Sequence, residues 1–99
     1  MVRHVFAWRV ASGYEQNEIV ELLNTLPSKL DAIKGWQVGS HQGEPGDNGD
    51  PWDGVLISDF DSWDALESYS NDPIHLKVVE LLKPMFAARA VIDYEVSAH

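Results

Sequence analysis

Val2-Arg3-His4-Val5-Phe6-Ala7-Trp8-Arg9-Val10 alternates with period two. Val2, His4, Phe6, Trp8 and Val10 fall on one face; Arg3, Val5, Ala7 and Arg9 fall on the other. An extended chain sends successive side chains to opposite sides, so the stretch reads as a strand with one richly apolar face. Ala11-Ser12-Gly13 breaks it. Val5 and Ala7 on the second face are more apolar than a solvated face needs, which makes the architecture of the rest of the chain the deciding question.

Working outward, Ile19, Leu22, Leu23 and Leu26 recur at three- and four-residue spacing within Glu15 to Leu30, which predicts a helix. Glu15, Glu18 and Glu21 load its early turns with negative charge, as the helix dipole favours. Pro27 ends or kinks it near Leu26, leaving Ser28 to Ile33 as a turn or a second short segment. Trp36 to Gln42 reads as a second strand and Val55 to Phe60 as a third. Gly43 to Gly54, rich in Gly, Pro, Asp and Asn, is a turn or loop between them. Asp61-Ser62 caps a second helix, Ser62 to Ser70, with Trp63, Leu66 and Tyr69 on one stripe. Asp72 as N-cap and Pro73 at the first helical position start another helix, which runs to Leu82 before Pro84. Ala88 to Val96 is the last strand, with Ala88, Ala90, Ile92 and Tyr94 opposite Arg89, Val91, Asp93 and Glu95.

Strand, helix, strand, strand, helix, strand is the split βαβ order. The fold class is therefore α+β: a ferredoxin-like βαββαβ protomer with a four-stranded antiparallel sheet and helices on one face. Val5, Ala7, Val91 and the Trp residues leave apolar material on the other face. Two such sheets meeting face to face form a dimeric α/β barrel, so a homodimer through the sheet faces is expected.

The chain has 99 residues, which fits one domain, 1–99. A chain this short buries only about 60–65% of the surface its unfolded form exposes, so a second copy would help it. Seven Lys and Arg against sixteen Asp and Glu make a net charge of −9. That surface repels phosphate backbones and anionic lipid, so neither nucleic acid nor a membrane is an expected partner. No window of 18 apolar residues and no signal-peptide pattern is present, and cytoplasmic location is the default. Cysteine is absent, which excludes disulfides, thiolate catalysis and Cys-based zinc sites.

Three stretches carry a family resemblance: Arg3-His4-Val5-Phe6, Tyr69-Ser70-Asn71-Asp72-Pro73-Ile74-His75, and Val91-Ile92-Asp93-Tyr94. In this order and spacing the whole chain resembles the stress-responsive dimeric α/β-barrel (Dabb) domain family, and within it the olivetolic acid cyclase-like proteins. The resemblance implies a ferredoxin-like protomer dimerised through its sheets. It also implies a His and Tyr pair that serves a polyketide cyclase in aldol condensation, here matched by His75 and Tyr69. His4 is similar to a His lining that pocket. A helix Tyr and a strand His of the cyclase are matched instead by Leu23 and Gly54, which makes the same substrate unexpected. Related dimeric barrels use a helix His as iron ligand, so haem is a third class to test.

The residues carry their own chemistry. His75 lies in the first turn of a helix, whose positive end disfavours imidazolium and lowers its pKa; a neutral imidazole can act as general base. Tyr69 at the end of the preceding helix can hold a carbonyl oxygen or donate a proton. His4, Phe6, Trp8 and Trp63 are candidate ligand-binding residues for a hydrophobic, carbonyl-bearing molecule, since small-molecule sites are mostly apolar with few polar groups. Each also has a structural reading. His75 can fix the helix start through Asp72 or backbone, Tyr69 and His4 can be core residues, and the four Trp can be core or dimer contacts. Asp47, Asp50 and Asp53 lack the oxygen-ligand spacing of a calcium loop, and His41 and His99 lack partners at metal-ligand spacing, so no metal is expected. The two functional classes are thus a cofactor-free cyclase- or lyase-like binder of carbonyl compounds, with His75 and Tyr69 as acid–base pair, and a stress-associated structural or interaction domain without catalysis.

Overall fold

The alternation of residues 2–10 places this stretch where both of its edges are paired. In the computed structural model, which describes residues 1–97, β1 (Val2–Val10) lies between β3 (Gly54–Phe60) and β4 (Phe86–Glu95). The sheet order is β2-β3-β1-β4, with β2 (Gly35–Ser40) at one edge and β4 at the other. All neighbouring pairs are antiparallel. The remaining elements are α1 (Gln16–Leu23), α2 (Trp63–Asn71) and α3 (Pro73–Leu82), with a short 3-10 turn at Lys83–Met85. The ferredoxin-like βαββαβ architecture is therefore as the order of elements predicts, its second helical region split into two helices by Asp72-Pro73.

Register explains which face is the core. Opposite residues across β1 include Val2 and Phe60, Phe6 and Leu56, His4 and Asp93, Phe6 and Val91. Val2, Trp8, Leu56 and Phe60 thus share the helix side, and all are buried. Ile19 and Leu23 of α1, Leu66 and Tyr69 of α2, and Val78 and Leu82 of α3 close over them. Val91 belongs to this side as well, not to the second face where the apolar count had grouped it with Val5 and Ala7. Ser58 is fully buried between His4 and Trp36 in register, and its Oγ has no hydrogen-bond partner.

The caps follow the sequence. Ser62 Oγ accepts from Ala65 N at 3.1 Å, and Asp72 Oδ1 accepts from Ile74 N at 2.8 Å. Helix α1 is shorter than its apolar spacing predicts. It ends at Leu23, and Thr25 N and Leu26 N bond three residues back, to Leu22 O and Leu23 O. Pro27 bars the helical conformation at Leu26, so the tighter turn takes over early. Leu26 and Leu30 still reach the core from that turn.

The acidic loop is tied down by hydrogen bonds. Asp53 Oδ2 accepts from Val10 N at 2.6 Å, and Asp53 N donates to Trp8 O at 2.9 Å. Arg9 donates to the carbonyl oxygens of Pro51 and Asp50 and stacks on Trp52, 4.4 Å from the ring centre. His41 is occupied locally, 3.1 Å from Gly43 O, and His99 lies outside the described residues. Among the described residues no cluster of His, Asp or Glu is arranged to hold a metal, and no helix is long and apolar enough to cross a membrane.

Candidate functional site

Helix α3 stands off the β4 side of the sheet, and the gap is a cavity of about 360 Å³. Its floor comes from β1 and β3: His4, Phe6 and Leu56. Leu23 and Leu26 close one end, Val78, Val79 and Leu82 of α3 form the roof, and Phe86, Arg89 and Val91 of β4 form the outer side. Tyr69 and His75 complete the wall where α2 passes into α3. The volume falls within the range of small-molecule sites, and the lining is mainly apolar with a few polar groups.

Asp72-Pro73 brings Tyr69 and His75 together. The N-cap turns the chain between the last turn of α2 and the first of α3, so two side chains six residues apart pack ring to ring, 4.3 Å between centroids. Tyr69 packs on Phe60 behind it at 4.9 Å. His75 Nδ1 lies 3.0 Å from Ser70 O. A carbonyl oxygen only accepts, so Nδ1 carries the proton and Nε2 keeps a lone pair. Burial pushes the His75 pKa below the ordinary histidine value, aided by neighbouring His4 and opposed by the Ser70 carbonyl and Asp72. The depression expected from the helix end is present, but desolvation is its main cause. Burial also pushes the Tyr69 phenol well above its ordinary range, so the hydroxyl stays protonated and is a donor. Tyr69 additionally borders a shallower cleft of about 270 Å³ with Lys29, Asp31 and Asp72.

His4 is held by its cross-strand partner: Nδ1 is 2.5 Å from Asp93 Oδ1, directly opposite on β4. Its ring stacks parallel to Phe6 at 6.4 Å. His4, Phe6, Tyr69 and His75 therefore share one cavity. The two tryptophans do not. Trp8 is fully buried, donates from Nε1 to Gln16 Oε1 at 2.8 Å, and supports the site only by packing on Phe6 and Phe86. Trp63 opens α2 at its exposed N-terminus and donates to Glu95 Oε1 at 3.2 Å, outside the cavity. The helical stripe placed Trp63 with Leu66 and Tyr69, but Trp63 is exposed where those two are buried.

Both departures from the cyclase pattern have a physical basis. Leu23 lines the cavity and adds only apolar surface. At Gly54 no side chain fits, because a Cβ would collide with the Trp8 ring and the Gln16 amide. Sequence reasoning missed that Arg89 lines the cavity and that Asp93 holds the His4 ring. The signal was available in the strand alternation, which puts both on the face of β4 opposite Ala88, Ala90, Ile92 and Tyr94.

The comparisons with known proteins agree with this architecture. No curated protein matches the chain. Among solved structures, a dimeric ferredoxin-like protein of unknown function from Bacteroides fragilis shares 25% identity, covering 96% of this chain and 95% of its own, with a TM-score of 0.72. A dimeric ferredoxin-like protein of unknown function from Thermobifida fusca shares 20% identity over 96% and 90%, with a TM-score of 0.81. A hydroxynitrile lyase from Passiflora edulis shares 21% identity over 99% and 94%, with a TM-score of 0.85. The model of the stress-responsive A/B barrel domain matches residues 2–96. With its element order, its one-sided helical layer and a family match from end to end, this chain belongs to the stress-responsive A/B barrel (Dabb) domain family.

Proposed function

We propose that the protein binds a small, largely apolar, carbonyl-bearing molecule in the cavity beneath α3 and acts on it by cofactor-free acid–base chemistry. The observation that carries this reading is the His75 imidazole packed at a tilt against the Tyr69 phenol on the wall of an apolar cavity, where burial favours the neutral form of both rings. His75 Nε2 takes a proton from the carbon next to the carbonyl, and the Tyr69 hydroxyl donates to the carbonyl oxygen as it gains negative charge. The imidazolium then returns the proton to carbon or to an alkoxide. This is the chemistry of aldol-type cyclisation and of its reverse, a lyase reaction; a solved neighbour named as a hydroxynitrile lyase is compatible with it. We further propose that the working form is a homodimer joined through the open sheet faces, where Ile92 and Tyr94 stand exposed.

Proton abstraction can be tested without knowing the substrate. Benzylacetone in deuterium oxide exchanges the protons flanking its carbonyl slowly, and NMR follows their loss. The wild-type protein is expected to accelerate this exchange. His75→Ala lowers the acceleration by roughly a hundredfold or more, as expected for loss of a general base. Tyr69→Phe lowers it by about tenfold, the worth of one hydrogen bond to a developing charge. If the wild type neither binds nor exchanges benzylacetone, and His75→Ala changes only the melting temperature, His75 and Tyr69 are packing residues of an interaction domain.

A further inference from the structure

The chain has three arginines, and two are committed. Arg3 makes a two-pronged ion pair with Asp59 on the open sheet face, at 2.8 and 3.1 Å. Arg9 is bonded to the acidic loop and stacked on Trp52. Arg89 has no hydrogen bond and no ion pair among the described residues, yet it lines the cavity. In a protein of net charge −9, Arg89 is a cation without an acidic partner that lines an apolar cavity. Its guanidinium offers a planar fork of donors that matches a carboxylate.

Arg89 also sits at a defined distance along the sheet from His4. On β4 it lies opposite Trp8, four residues from Asp93, which lies opposite His4. Four residues of strand span roughly 13 Å, and both positions face the helices. Between them the lining is Phe6 and Val91, with Val78 and Leu82 of α3 on the same cavity. The cavity therefore has a polar end at His4, Tyr69 and His75, an apolar middle and a cationic end at Arg89.

We propose that the natural ligand is an amphiphilic carboxylate, an acid whose carboxylate group pairs with Arg89 and whose apolar chain runs along the cavity toward His75. This rests on the cavity reading above and narrows it to a substrate class. Arg89 is then a specificity-determining residue that selects an anion and fixes which end of the ligand meets the imidazole.

The test compares decanoate with decanamide, which share a chain and differ in charge, by isothermal titration calorimetry. The wild type is expected to bind decanoate about ten- to a hundredfold more tightly, as for a charge-assisted bond. In Arg89→Leu the ratio falls to about one, and in Arg89→Lys it is intermediate because the charge remains but the fork is lost. The preference also shrinks as salt is raised, since the pair is at the solvent edge. Near-ultraviolet circular dichroism shows that each variant is folded. If decanamide binds and decanoate binds no better, the role of Arg89 is refuted while the apolar cavity reading stands. If neither binds, both fail. An undiminished decanoate preference in folded Arg89→Leu also refutes the assignment.

Discussion

At the scale of single residues, the site is a set of local environments that alter ordinary side chains. Ser70 O fixes the His75 tautomer, and burial keeps the ring neutral. This has two consequences with definite signs. The proposed catalysis, which needs the neutral imidazole, is expected to hold its plateau to a pH below the ordinary histidine value of about 6.5, and a pH–rate profile with benzylacetone measures it. Stability moves the other way on acidification. Between the unfolded value near 6.5 and the lower folded value, the unfolded chain binds more protons, so stability rises with pH across that window. The contribution is complete above about pH 6.5 and is lost as pH falls through the folded value. Melting temperatures of wild type and His75→Gln between roughly pH 4.5 and 7.5 are expected to converge toward the acid end. His75 in the first turn of a helix was legible from Asp72-Pro73. Desolvation as the dominant cause was not, because it depends on α3 lying over the sheet.

At the scale of elements, tight packing between strands and helices decides what each position can carry. Gly54 on β3 is the clearest instance. Trp8 from β1 and the Gln16 amide of α1, which accepts from the Trp8 indole, fill the space its side chain would occupy. Gly54→Ala is expected to destabilise by about 2 kcal/mol and to lower the melting temperature by roughly 10 °C in thermal denaturation. A Gly at the edge of a loop rich in Gly and Pro reads as turn punctuation, so the sequence assigned it to the loop. Only the register of β1 on β3 shows it as a strand residue against a tryptophan. Helix α1 teaches the same lesson. Its apolar spacing runs to Leu26, yet the helix stops at Leu23, since a spacing rule counts side chains and Pro27 acts on the backbone.

At the scale of the whole molecule, one sheet face is covered by helices and the other is bare. Ile92 is 64% exposed and Tyr94 42%, on the same side as Val5 and Ala7. Several solved neighbours of this fold are described as dimeric. Size-exclusion chromatography with light scattering is expected to give twice the chain mass for the wild type. Ile92→Asp places a charge on the β4 side of that face and is expected to give a monomer, whereas a wild-type monomer refutes the sheet-face dimer.

The pairing of Tyr69 with His75 was implied only by the family resemblance, whereas the period-two and helical spacings and the capping residues were enough to determine the element order and the one-sided helical layer. Each of these depends on contacts within a few residues or on a repeating face. The tertiary structure alone decided that His4 pairs with Asp93, that Trp63 lies outside the cavity and Trp8 beneath it, and that Arg89 stands at its edge. Those are matters of strand register and of how far α3 rests from β4, which join residues up to 89 positions apart and leave no periodic mark in the chain.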